Sequence, residues 1–216
     1  MLRDTSLHAT IQRVCAERGI QPAERLPWEP LTRRAFQTEQ LAAVIHERWA
    51  GRYDHAQPEP RVNTWIGQHL ANPTGHPALF LSGTTGSGKT HQAVAAARVI
   101  ASSRFGGPYT WAATTHPDLG DELRPRSDDS HEHALDRYLN ADLLLLDDLG
   151  AGMTTPWMTD CVQRLVDRRW TRRMATIYTT NLPPDQLRAA VGDRVYSRLG
   201  DTTRVTLTGT DRRWTA

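Results

Sequence analysis

The chain has 216 residues, 38% of them hydrophobic, enough for one domain with a real core and a small appendage. A net charge of +2 gives no argument for a nucleic-acid partner, and two distant cysteines, Cys15 and Cys161, exclude a paired-cysteine metal module and suit a reducing compartment. The longest unbroken apolar runs are as short as Leu143 to Leu146, far below a membrane span or signal-peptide core, so the expectation is a soluble cytoplasmic protein with no membrane partner.

The first third has helical periodicity. Leu7, Ile11, Val14 and Cys15 recur at helical spacing before Gly19, and a proline-containing linker follows over 21–30. Leu41, Val44, Ile45 and Trp49 form a second stripe, ended by Gly51. After a loop over 54–60, Val62, Trp65, Ile66 and Leu70 mark a third helix that stops before Asn72-Pro73. These stripes suit core packing, although Trp65 also lies close enough in sequence to the next motif to approach a bound base.

From residue 77 the pattern changes to alternating strands and helices. Strands are expected over 78–81, 109–113, 142–147, 176–179 and 204–207, with helices over 89–101, 117–124, 131–139, 156–172, 184–191 and 192–199. Pro117 and Pro156 stand just inside two helix starts, where a missing N–H costs nothing. Five short apolar strands joined by helical crossovers predict an α/β fold with a parallel sheet covered on both faces.

The first strand runs into Gly83-Thr84-Thr85-Gly86-Ser87-Gly88-Lys89-Thr90, which matches the P-loop pattern in full. Glycines let backbone N–H groups turn toward a β-phosphate, and the helix that begins there adds its positive end. Lys89 is the only lysine in the chain, beside 25 arginines. A compact ammonium fits between phosphate oxygens inside a tight loop, where a planar guanidinium is too bulky. These eight residues, with His91 directly after them, are the expected ATP-binding set, and the Thr90 hydroxyl is the expected Mg²⁺ ligand. The strand Leu143-Leu144-Leu145-Leu146 ends in Asp147-Asp148, the form of a Walker B motif. Asp147 is expected on Mg²⁺ and Asp148 is placed to polarise the attacking water.

Three further pieces carry a resemblance. Thr179-Thr180-Asn181 ends a strand as sensor 1 does in AAA+ proteins, and Gly192-Asp193-Arg194-Val195-Tyr196-Ser197-Arg198-Leu199 looks like the box VII helix. One strand follows, and the usual helical lid is not expected after it. From about Val62 to Arg213 the chain resembles DnaC-type helicase loaders and the related IstB-type transposition ATPases. The resemblance implies a central strand order 5-1-4-3-2, with Asn181 beside the P-loop. It implies Arg198 as the arginine finger, acting in trans within a homo-oligomer, and Arg194 as a second interface arginine. It also implies an ATPase domain over 59–216, a helical partner-binding region over 1–58 that holds a replicative helicase, and single-stranded DNA as a partner. The alternatives are an ATPase that serves a transposase and, against the box VII arginines, a P-loop small-molecule kinase. The chain departs from the pattern at Asp148, where glutamate is common, and has no N-terminal zinc module.

Arg164, Arg168, Arg169, Arg172 and Arg173 crowd the helix around Trp170. The i, i+4 set Arg164, Arg168 and Arg172 shares a face that suits either a phosphate backbone or a solvated surface beside Asp160 and Asp167.

Overall fold

The structure is a computed structural model that describes residues 56–103, 110–124, 130–152 and 155–208. The two N-terminal helices expected before residue 52 lie outside those residues. In chain order the elements are α1 (Pro60–Ala71), β1 (Ala78–Gly83), α2 (Lys89–Ser103), β2 (Trp111–Thr115), α3 (His116–Leu123), α4 (Ser130–Asn140), β3 (Leu143–Asp147), α5 (Pro156–Thr171), β4 (Ala175–Thr180), α6 (Pro184–Gly200) and β5 (Thr203–Leu207).

The strands form one parallel sheet in the order β2-β3-β4-β1-β5, which is the expected order 5-1-4-3-2 viewed from the other side. All five residues of β3 are buried, as a strand covered on both faces requires. Leu79 and Leu81 point to a core shared with Val62, Trp65 and Ile66 of α1 and with Ala93, Ala97 and Ile100 of α2. Phe80, Leu144 and Tyr178 point to the opposite core, against Leu119, Tyr138, Val162, Leu187 and Val195. Trp65 is fully buried and stacks on His69, so it belongs to the core rather than to a base pocket. Among the described residues no helix is long and apolar enough to cross a membrane.

Local chemistry sets the boundaries. Thr155 caps α5 by accepting the Met158 N–H, with Pro156 as the first helical residue. The matching cap of α3 is Thr115, so that helix begins at His116, one residue before the expected start. Strand β2 lies two residues later than expected because its register is set by β3, Trp111 facing Leu143 and Thr115 facing Asp147. Asp142, expected as the first residue of β3, instead accepts the backbone N–H of Thr110 at 2.8 Å and its hydroxyl at 2.9 Å. The helices expected over 184–191 and 192–199 are the two arms of α6, bent at Gly192, whose φ of 82° a side chain would resist.

Candidate nucleotide-binding and hydrolysis site

Because the sheet is parallel, β1, β3 and β4 end at one edge, delivering Gly83, Asp147 and Thr180 side by side. The P-loop leaves β1 at Gly83, where a Cβ would come within 2.2 Å of the Leu207 carbonyl, so only glycine lets the loop turn beside β5. Lys89 opens α2 and folds back under the loop. Its ammonium is buried and donates to the Gly83 carbonyl at 2.9 Å, the Thr84 carbonyl at 2.7 Å and the Ser87 hydroxyl at 3.4 Å. Thr84 and Thr85 are exposed on the loop crest, with Gly86 and Gly88 partly so. His91 lies one residue past Thr90, its Nδ1 3.3 Å from Gln92 Nε2.

Across from the loop, Thr90 donates to the carboxylate of Asp147 at 3.0–3.1 Å. Thr179 donates to the same carboxylate at 2.6 Å and accepts the Asp148 N–H at 2.9 Å. Asn181 donates from Nδ2 to Asp148 Oδ1 at 2.7 Å. Asp148 has φ of 52°, a left-handed turn that swings the second acid away from the buried first one. Burial pushes the Asp147 carboxyl above the usual carboxylate range, and the neighbouring Asp148 charge adds to this. The Thr179 and Thr90 hydroxyls and the Lys89 ammonium pull the other way. A hydroxyl and a carboxylate together offer the hard oxygen donors that Mg²⁺ prefers, so this pair fits the ion.

Three contacts escaped the reading of the sequence, the first although a signal was present. Thr179 precedes Asn181 by one strand period and therefore shares its face, which marks it as a partner of the same site. Gln92 accepts the Glu59 N–H at 2.6 Å and donates to the Gln57 carbonyl at 3.2 Å, which ties the segment before α1 to the P-loop helix. A third, His116, accepts the Gly150 N–H on Nδ1 at 2.6 Å, joining the end of β2 to the turn after Asp148.

The arginines of α6 stand elsewhere. Arg198 lines a recess with Pro77, Ala78, Met174 and Thr176, at the edge where β1 and β4 begin. The P-loop lies at the other end of β1, a strand length of roughly 15–20 Å away. Arg194 and Arg198 both face Asp167, at 2.5 and 3.5 Å. Arg164 and Arg168 on α5, and Arg172 and Arg173 directly after its end, are exposed, but Arg169 is 1% exposed. Its guanidinium donates to the carbonyls of Tyr138, Ala141 and Ala175 and to the Thr176 hydroxyl, which removes it from the basic face expected for that helix. Trp170 is likewise turned onto Arg198.

The IstB-like ATP binding protein family model matches residues 32–199. The replicative helicase loader DnaI of Bacillus subtilis (strain 168) is 27% identical over 111 residues, covering 51% of this chain and 35% of DnaI. The replicative helicase loader DnaC of Escherichia coli (strain K12) is 27% identical over 133 residues, covering 61% of this chain and 54% of DnaC. The chain thus spans about half or less of the length of these curated relatives. The crystal structure of a DnaC helicase loader superposes with a TM-score of 0.59 at 24% identity, over 75% of this chain and 99% of that one. With a P-loop, paired acids and a five-stranded parallel sheet in the order observed, the chain belongs to the IstB-like ATP binding protein family and shares its fold with the DnaC helicase loader.

Proposed function

We propose that the protein loads a replicative helicase: subunits assemble on ATP with Mg²⁺, hold the helicase ring through residues 1–58, and help place it on single-stranded DNA. The observation that carries this reading is the split between the two edges of the sheet. The P-loop and the paired acids gather at one edge and Arg198 stands at the other, which supports a site completed between neighbouring subunits. The loader names of the curated relatives support the choice of cargo.

In this mechanism Lys89 exchanges the Gly83 and Thr84 carbonyls for β- and γ-phosphate oxygens when ATP enters. Thr90 and Asp147 hold Mg²⁺, which supplies charge neutralisation at the phosphates. Asp148, held by Asn181, accepts a hydrogen bond from the water that attacks the γ-phosphorus. Arg198 of a neighbouring subunit meets the charge that builds on the transferred group. In well-studied NTPases such a finger contributes about 10³–10⁵ in rate.

The second reading, an ATPase that serves a transposase over duplex DNA, is favoured by the IstB-like family match. Capture experiments separate the two. The full chain with ATP is expected to retain the cognate replicative helicase, and removal of residues 1–30 is expected to abolish retention while a fluorescent ATP analogue still binds. Retention of the transposase and not of the helicase would establish the second reading in place of the first.

A further inference from the structure

The Arg198 guanidinium lies over the Trp170 ring, 3.6 Å from its centroid. Trp170 is itself fixed by donating from Nε1 to Asp201 at 3.2 Å. Asp167, one helical turn before Trp170 on α5, receives Arg198 Nε on one oxygen and Arg194 Nε on the other. Together they leave the Arg198 side chain 29% exposed, against 60% for Arg194.

A stacked guanidinium uses its face, whereas its N–H groups lie in the plane and point outward from the edge. Nε is turned toward Asp167 at 3.5 Å, and it is the Nη1 and Nη2 donors that a finger would bring to a phosphate. A finger is effective when its donors are already aimed before the neighbour's phosphate arrives, because little side-chain freedom is then lost on contact. A surface arginine without such a clamp would sample many rotamers.

We infer that Trp170, with Asp167, is a positioning residue that holds the Arg198 finger in a pre-aimed plane for the nucleotide of the adjacent subunit. This rests on the reading of Arg198 as a finger acting in trans. It gives Trp170 a task on the arginine side of the interface only, since the P-loop of its own subunit lies at the far edge of the sheet. The aromatic face is the part that matters, so phenylalanine is an adequate substitute and leucine is not.

A mixture of two proteins tests this direction. One protein carries Arg198→Ala and contributes an intact P-loop. The other carries Asp147→Asn and Asp148→Asn and contributes an intact finger. Trp170→Leu is placed in one or the other, and Mg-ATP hydrolysis of the mixture is followed, with analogue binding by the P-loop protein as the check on folding. In the finger protein, Trp170→Leu should lower kcat about tenfold, the scale of a partly exposed cation–π contact, with KM unchanged. In the P-loop protein it should change nothing, and Trp170→Phe in the finger protein should retain most of the rate. Equal losses from both sides, no loss from either, or phenylalanine no better than leucine would overturn the positioning role while leaving the trans finger intact. A parent mixture with no hydrolysis would instead remove the trans finger, and this inference with it.

Discussion

Thr179 and Asp147 are joined at 2.6 Å, and the same threonine oxygen accepts the N–H of Asp148 at 2.9 Å, so one hydroxyl from β4 holds the last residue of β3 and the backbone of the acid after it. Thr179→Val keeps the shape and removes the hydroxyl. It should cost about 1–3 kcal/mol of stability, because a buried carboxylate and a backbone donor lose their partner. Hydrolysis should fall about 10–100-fold, as when the supports of metal-holding groups are removed, with ATP binding preserved. Thr179→Ser should recover most of both. Urea melts and steady-state ATPase rates decide it, and a valine variant hydrolysing at the parent rate would show that the hydroxyl does not orient the acids.

Asp147 carries an opposite sign for folding and for chemistry. Its carboxyl is raised above its unfolded value, chiefly by burial. The folded protein therefore holds that proton more tightly, and the contribution to stability is lost as pH rises through the raised value. At neutral pH the ionised group opposes folding. Asp147→Asn should raise the Tm of the nucleotide-free protein at pH 7 and abolish Mg-dependent hydrolysis. A lower Tm in calorimetry would mean that the hydrogen bonds from Thr90 and Thr179 outweigh the cost of burying the charge.

The parts of this molecule that sequence makes legible are those where one residue type is required at one spacing. The lone lysine inside a glycine loop and the leucine run ending in two acids gave the phosphate side of the site and the strands that carry it. Strand order came through the resemblance. What stayed hidden depends on tertiary register. Arg168 and Arg169 look alike in sequence, yet a helix turns about 100° between neighbours, and only the second meets the end of α4, the turn before β3 and the start of β4. His116 has no motif of its own, and its tie to Gly150 arises only because β2 and β3 end together.

That histidine predicts a pH dependence. Burial lowers the His116 pKa to about 4 from the usual 6.5. The unfolded chain binds the proton first as pH falls, so the stability contributed by the neutral ring is complete above pH 6.5 and is lost between there and pH 4. The loss should be of the order of 3 kcal/mol at the acid end of that window. His116→Asn, whose side-chain oxygen still accepts the Gly150 N–H, should show a flatter profile in urea unfolding between those limits. Parallel profiles for the two proteins would mean that His116 is not the titrating group.

Arg168 and Arg169 should separate cleanly when substituted one at a time. Arg169 is 1% exposed and supplies donors to four backbone carbonyls and the Thr176 hydroxyl. Arg169→Met keeps the volume but strands those buried acceptors, and breaking such a network should destabilise by about 3–5 kcal/mol. Arg168 is exposed one position earlier, so Arg168→Met should leave stability within about 0.5 kcal/mol. If the exposed arginines of α5 follow the phosphates of single-stranded DNA, Arg168→Met should weaken binding alike for different sequences. It should also reduce the slope of log affinity against log salt by about 0.7, one phosphate contact. Fluorescence anisotropy of a labelled oligonucleotide at several salt concentrations reads both quantities. An unchanged slope for Arg164→Met, Arg168→Met and Arg172→Met together would take DNA off this face. Those three arginines would then be a solvated surface, and the strand would have to be sought elsewhere on the assembly.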